Sequence, residues 1–382
     1  MNGNYRHLIK ASLIGALIGG TPLMAQAQQV IKIGVAAPLT GGSAAYGKDV
    51  ENGVQLAVDE ANAQHIKLGG QDVRFAVEAG DDQGDPRIGV QVAQKLVDDG
   101  VSLVVGHVNS GVTLPASKIY ATAGIPMITP SATNPTITQQ GFSTVFRVIP
   151  TDLQNAGNAG KYAVTITKAK RVAILDDRTA FGQGEADAFR KAVLAAGGTV
   201  VAQEFTNDKA VEFNAQLTNV KNANADVLFF GGLDNQAALV AKRMKQLDMR
   251  TQFLGGGAVA DSIFVQIAGP SGEGAMAWEY GRPLDQLPNG RSFAEKLKTN
   301  YGAEPLAYSP FAYDATRIAI DAMKRANSSK PETYSTVLKS SQFAGITGIV
   351  AFNQFGDLKN AVSTLYQVKN GKWTPVTTIS SE

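Results

Sequence analysis

The chain has 382 residues, 44% of them hydrophobic and 18% charged, a balance that builds packed globular domains, and at this length two are expected. There is no cysteine, which excludes zinc ribbons, iron–sulfur clusters, thiol nucleophiles and disulfide frameworks, and three histidines (His7, His65, His107) argue against a His-rich metal centre. The formal net charge is +2; without Arg6 and Lys10 the 33 remaining basic residues face 33 acidic ones, so neither nucleic acid nor an anionic membrane surface is expected as a partner.

Residues 1–27 read as an export signal. Arg6 and Lys10 precede the largely apolar stretch Ala11 to Leu23, and Ala25-Gln26-Ala27 offers the small-x-small pattern that signal peptidases cut after. The stretch is too short for a membrane span, being interrupted at Thr21-Pro22, and no cysteine follows for lipid attachment. A mature chain beginning at Gln28 is expected in the periplasm.

From there short apolar runs alternate with stretches of helical period. Ile31 to Ala37, Val73 to Ala79, Val101 to Val105 and Met127 to Thr129 read as strands; Asp49 to Ala63, Pro86 to Asp98 and Val112 to Ala123 read as helices. The alternation predicts a parallel sheet covered on both faces. It restarts near Thr151, with strands at Val172 to Leu175, Thr199 to Glu204, Val227 to Phe230 and Gln252 to Leu254, and helices around Gln183 to Ala196, Val211 to Asn222 and Asn235 to Leu247. Two doubly wound α/β units are therefore expected. Helices around Phe293 to Tyr301 and Phe311 to Arg325 come later, followed by a hairpin-like end (Gly348 to Phe352, Phe355 to Leu358, Thr364 to Val368) that finds no room in the second unit.

In such sheets ligands sit past the carboxyl ends of strands, where helix N-termini also point. Two loops there carry hydroxyls: Gly106-His107-Val108-Asn109-Ser110-Gly111 and Pro130-Ser131-Ala132-Thr133-Asn134-Pro135. A carboxylate placed beside their helix-end amides would accept several charge-assisted hydrogen bonds. Ser110, Ser131 and Thr133 have an alternative reading as plain helix caps. The glycines of Thr40 to Gly47 fit neither dinucleotide nor P-loop spacing, so no cofactor is expected.

Ile31 to Gly47, Asp81-Asp82 with Asp85-Pro86, Gly106 to Ser110, Pro115-Ala116-Ser117, Ile128 to Thr133, Phe181-Gly182-Gln183-Gly184 and Gly356-Asp357-Leu358, in this order, resemble the leucine/isoleucine/valine-binding proteins of bacterial ABC importers. The resemblance implies a type I periplasmic binding protein fold: two doubly wound lobes joined by a three-segment hinge. Lobe 1 would comprise 28–149 and 281–362, and lobe 2 would comprise 150–280 and 363–382. It implies a monomer that closes on an amino acid, or on a carboxylate without an amino group, and presents it to ABC permease subunits; a ligand-binding sensor of the same architecture is the alternative.

By the same resemblance, Ser110, with Asn109 beside it, would hold the ligand carboxylate together with Ser131, Ala132 and Thr133. Tyr46 would cover the ligand from lobe 1, and Phe181 and Leu233 from lobe 2. The acid that pairs the ligand's ammonium group in relatives would fall at Gly257, where this chain has no side chain. Three readings stay open: Asp234, Asp176 or Asp177 supplies the charge; the ligand has no amino group; or the correspondence through Gly255-Gly256-Gly257 is displaced. Trp278 and Tyr280 read as hinge packing. The chain lacks G-x-S-x-G and H-E-x-x-H, and His107 has no nucleophile nearby in sequence, so an enzyme is not expected.

Overall fold

The computed structural model describes Met1 and residues 28–380, so the expected export signal lies outside the described residues. The first sheet contains β1 (Gln29–Ala37), β2 (Lys67–Leu68), β3 (Gln71–Asp81), β4 (Leu103–Gly106), β5 (Met127–Thr129) and β6 (Val145–Arg147), in the order β2-β3-β1-β4-β5-β6. Helices α1 (Ala44–Asn62), α2 (Pro86–Asp98), α3 (Ser110–Thr122) and α4 (Thr136–Gln139) connect the strands. All four residues of β4 are buried, as a strand covered on both faces requires. α2 starts at Asp85, whose carboxylate accepts the Arg87 and Ile88 amides ahead of a helix that opens on Pro86.

α5 (Asp152–Thr165), capped reciprocally by Thr151 and Gln154, leads into the second unit. There β7 (Arg171–Asp176), α6 (Ala180–Ala195), β8 (Thr199–Phe205), α7 (Asn214–Asn222), β9 (Val227–Gly231), α8 (Asp234–Gln246), β10 (Gln252–Gly255), α9 (Ser262–Ala268) and β11 (Met276–Tyr280) repeat the alternation. The chain then returns: α10 (Gly290–Tyr301) and α11 (Ser309–Ala326) pack on α1, with α12 (Pro331–Lys339) against α11. A small pair, β12 (Gln342–Ala344) and β13 (Ile349–Ala351), follows. Finally β14 (Val362–Lys369) and β15 (Lys372–Ser380) complete a second sheet in the order β15-β14-β11-β10-β9-β7-β8.

Two sequence expectations change. The sheets are mixed: β2 pairs antiparallel to β3, β14 runs antiparallel to β11, and β15 pairs antiparallel to β14 at the edge. The terminal hairpin is β14–β15, turned at Asn370-Gly371, both at positive φ (53° and 69°), while 349–351 pairs with β12 and Phe352 forms an isolated bridge with Leu358. Trp278 is fully buried in the second core, edge-on to Tyr162 with centroids 5.6 Å apart.

Each sheet has one place where the winding reverses. In the first it lies between β1 and β4, in the second between β7 and β9. The loops that leave these four strands begin α1, α3, α6 and α8, so the two reversal points contribute four helix N-termini to the ends of the sheets where ligands gather.

The returning segment is fastened to the first sheet by Arg147. This fully buried guanidinium donates to Asp357 Oδ1 (2.9 Å), Thr138 Oγ1 (2.9 Å) and the carbonyls of Ala132 (2.8 Å) and Asn134 (3.0 Å). Its main-chain N–H donates to Gly356 O (2.8 Å). Replacing Arg147 by Met strands Asp357 and two buried carbonyls, so chemical denaturation of R147M is expected to show a loss of about 3–5 kcal/mol. A loss below about 1 kcal/mol would mean that the pair does not hold the segment.

Candidate functional site

The loop after β4 is rigidified by His107, whose Nδ1 lies 2.6 Å from Asp82 Oδ2 and whose Nε2 lies 3.0 Å from the Tyr120 hydroxyl, with the ring fully buried. Its carbonyl accepts from Thr113, Thr129 and Ser131. Both ring nitrogens are therefore engaged in holding the loop. Next in the chain, Ser110 opens α3, and its Oγ accepts the main-chain N–H groups of Thr133 (3.2 Å) and Asn134 (3.3 Å). With its lone pairs so used, the Ser110 hydroxyl keeps its proton for an outside acceptor. The Ser110 and Gly111 amides belong to the first turn of α3, where helical amides have no partner within the helix. An anion is the natural acceptor for this group of donors.

Tyr46, Val108, Asn109, Ser110, Ser131 and Tyr308 from the first lobe meet Phe181 and Leu233 from the second around a small cavity. Its volume is about 20 Å³, room for little more than one water molecule, so the lobes are closed upon it. Hydrogen bonds cross the closure: the Tyr46 hydroxyl donates to Asp261 Oδ2 (2.8 Å) and lies 3.3 Å from the Ala258 carbonyl, and Asn134 Nδ2 donates to the Ala180 carbonyl (2.7 Å). The apolar core of the first lobe also runs across, taking in Ala258 and Tyr280 and packing against Leu233. Asp49 of α1 sets the position of Tyr308, accepting the amides of Leu306, Tyr308 and Ser309 at the start of α11. A roomier crevice of about 450 Å³ flanks the crossing segments near Leu287 and Phe311 but contains none of the Ser110 donors.

Beside the cavity the second lobe is acidic. The loop after β10 turns its amides onto the protein's own carboxylates: Gly257 N donates to Glu185 Oε1 (2.7 Å), and Ala258, Val259 and Ala260 donate to Glu279 (3.1, 2.8 and 2.8 Å). A Cβ at Gly256 would lie 2.0 Å from Glu185 Oε2, and one at Gly257 would lie 2.0 Å from the Tyr280 hydroxyl. Glycine is therefore required at both positions. Asp152, at the start of α5, donates its N–H to the Thr133 carbonyl (3.0 Å), but its two carboxyl oxygens are buried without a hydrogen-bond partner. Glu185 Oε2 and the Tyr280 hydroxyl are likewise unpartnered.

Of the residues singled out in the sequence, Tyr46, Asn109, Ser110, Ser131, Phe181 and Leu233 line the cavity. Ser131 directs its hydroxyl to the Val108 carbonyl (3.1 Å), and the Ala132 amide is bonded to Thr129 Oγ1 (2.9 Å), so Ala132 has no free N–H for a ligand. The Thr133 hydroxyl lies near Asp152, short of hydrogen-bond geometry. Asp176 and Asp177 accept local amides in the turn before α6. Asp234 opens α8 beside Asp261. Tyr280, expected as hinge packing, joins the apolar core that crosses the lobes and also stands against Gly257. Glu185, Asp152, Tyr308 and Asp261 were not anticipated.

Burial lifts the carboxyls of Asp152 to about 7 and Glu279 to about 7; burial and the charge of Asp261 lift Asp234 to about 8. Between pH 4 and pH 8 the folded chain thus binds more protons than the unfolded one, and stability falls as pH rises, with a slope approaching about 1.4 kcal/mol per pH unit for each group that keeps its proton. The ligand-free melting temperature is expected to be higher at pH 5 than at pH 8. The opposite order in scanning calorimetry would mean that these carboxyls ionise freely.

A family profile described as periplasmic binding protein matches residues 30–372. A Leu/Ile/Val-binding protein homolog of Brucella abortus is 35% identical over 343 residues, covering 90% of this chain and 91% of its own. A leucine-, isoleucine-, valine-, threonine- and alanine-binding protein of Pseudomonas aeruginosa is 35% identical over 354 residues, covering 92% and 93%. The crystal structure of a leucine-binding protein from Thermotoga maritima superimposes with a TM-score of 0.84 at 28% identity, over 91% of this chain and 98% of that one. The chain belongs to the periplasmic binding proteins, in the branch that includes the Leu/Ile/Val-binding proteins, and has the type I fold of two α/β lobes.

Proposed function

We propose that this protein is the solute-binding component of an ABC importer, that its ligand is a branched-chain or related small aliphatic amino acid, and that it delivers this ligand from the periplasm to the permease. The observation that carries the reading is the pairing of two unlike surfaces in one gap. Hydroxyl and helix-end donors of the first lobe border the cavity, and unpartnered buried carboxyls of the second lobe lie a short chain of bonds away through Thr133, a pairing that suits a zwitterion. Phe181, Leu233, Val108 and Tyr308 supply the apolar wall for an aliphatic side chain. The names of the relatives from Brucella and Pseudomonas support the same ligand class.

The mechanism follows from where the donors sit. The carboxylate docks on Ser110 and the α3 amides while the lobes are apart; Phe181, Leu233 and the second-lobe acids then engage, and closure is favoured by the difference in ligand affinity between the open and closed states. The three passages between lobes, near Ile149 to Thr151, Tyr280 to Arg282 and Val362 to Thr364, serve as the hinge. Two charge-assisted hydrogen bonds at about 1.5–3 kcal/mol each and a buried aliphatic side chain at about 1.5–3 kcal/mol approach the roughly 8 kcal/mol of micromolar binding. The chain is exported by residues 1–27, cut after Ala27, and works as a monomer.

A thermal-shift screen of the twenty amino acids against aliphatic and aromatic carboxylates tests the ligand class, since only a true ligand raises the melting temperature, by a free energy of about 2.7 kcal/mol at a hundred times Kd. Leucine, isoleucine or valine is expected to stabilise the protein; stabilisation by non-amino carboxylates alone would refute the proposal. For the anion cradle, the double variant Ser110→Ala with Thr133→Ala is expected to bind about 30- to 150-fold more weakly by calorimetry; its fold is expected to persist by circular dichroism, with a lowered melting temperature because the Thr133 and Asn134 amides lose their acceptor. Undiminished affinity would remove Ser110 from the site.

A further inference from the structure

We propose that Glu185, with Asp152 beside it, is the counter-charge for the ammonium group of the bound amino acid, supplied by helix α6 and not by the loop after β10. The inference rests on the amino-acid reading above and names the group that would give this protein its selectivity for an amine.

Three independent features converge on that carboxyl. The first is its lack of partners. Glu185 and Asp152 are fully buried, and between them Glu185 Oε2 and both Asp152 oxygens accept no hydrogen bond; nearby, the Tyr280 hydroxyl (8% exposed) and the fully buried Thr133 hydroxyl are also unpartnered. Buried polar groups are satisfied in nearly all cases, so several orphans in one place point to a ligand that satisfies them. The second is charge. Arg147, whose field reaches Asp152, is bonded to Asp357, Thr138 and two carbonyls, and no salt bridge among the described residues involves Glu185 or Asp152.

The third is position. Phe181, which lines the cavity, precedes Glu185 by one helical turn, so both lie on the same face of α6. On the other side a short chain of bonds links the two ends of the site: Ser110 Oγ accepts from Thr133 N, and Thr133 O accepts from Asp152 N. An α-amino acid with its carboxylate on Ser110 would therefore hold its ammonium group within a residue's length of Thr133, Asp152 and Glu185. The glycines after β10 fit this arrangement, because any side chain at Gly256 or Gly257 would enter the space that Glu185 and Tyr280 fill.

Asp234 is the weaker candidate. Its carboxyl sits beside that of Asp261, which takes the Tyr46 hydroxyl; Asp234 Oδ2 is also buried without a partner, but its nearest acid is already engaged in closure and it has no link of bonds to Ser110, so the D234N variant is the comparison that separates the two. The groups whose charge or hydroxyl bears on Glu185 are Asp152, Glu279 and Asp177, with Tyr280 and Tyr308 facing it; burial and these acids push its pKa well up.

The test compares L-leucine with 4-methylpentanoate, the same skeleton without the amino group, by isothermal calorimetry on the full mature chain. In E185Q, leucine affinity is expected to fall at least about 100-fold while 4-methylpentanoate binds as in the wild type or better; D234N is expected to keep leucine affinity within about threefold. Equal leucine affinity in E185Q and wild type, or an equal loss for both probes, overturns the inference. A wild-type chain that binds 4-methylpentanoate but no amino acid overturns the amino-acid reading itself, and this inference with it.

Discussion

A buried carboxyl without a cation governs the second lobe. Removing a charge from water costs several kcal/mol unless something of opposite sign or a set of N–H donors takes water's place, and this protein uses the donors where it has them. The loop after β10 spends four consecutive amides on Glu185 and Glu279. Asp152 and the second oxygen of Glu185 have no such donor, and burial pushes both carboxyls toward the protonated form. A cation placed beside them would relieve that cost.

Packing and electrostatics are tied together at the glycines. In Gly255-Gly256-Gly257 the absence of side chains brings the loop backbone close enough to α6 for Gly257 N to reach Glu185, and leaves the volume that Tyr280 occupies at the end of β11. Neither feature works without the other, since a Cβ at either site would push the acid or the phenol out of place. The same economy holds in the first lobe, where His107 ties its loop to Asp82 and Tyr120 and thereby fixes Ser110 relative to Thr133. A buried histidine in the site is here a strut for a hydroxyl that points elsewhere.

Much of this was legible in the sequence. The alternation of short buried runs with helical stretches gave both sheets, because strands covered on two faces read as unbroken apolar runs such as Leu103–Gly106 and Val227–Gly231. Ser110 stood out because it follows the carboxyl end of a strand, while Tyr46, Phe181 and Leu233 were placed by the resemblance to the Leu/Ile/Val-binding proteins; in the fold all four follow strands at a reversal of the winding. The terminal hairpin carried a plain signal in Asn370-Gly371 that a search for parallel units passes over, and β15 went unread with it. Glu185 also left a trace: it falls in the buried stripe Gly182, Glu185, Ala186, Phe189, Val193 of α6, where an acid has no reason to be on packing grounds. Asp152 left none, since an acid in the first turn of a capped helix is ordinary. Tyr280, read as hinge packing, does join the apolar core that runs across the lobes; its further contact with Gly257 is one that no local pattern encodes.

Closure of the lobes and selection of the ligand are then aspects of one balance. In the closed form the cavity is about 20 Å³ and hydrogen bonds from Tyr46 and Asn134 bridge the lobes, so closure draws some stability from the protein alone. Against it stands the cost of the second-lobe acids, which closure seals from water without giving them a partner. A ligand that merely filled the cavity would have to part the lobes and would do nothing for the acids. One that brings a cation to them and an anion to Ser110 relieves both ends at once, and its differential affinity for the closed state is large for that reason. Discrimination between an amino acid and its deaminated analogue would then reside in the free energy of closing, more than in the first encounter with either lobe.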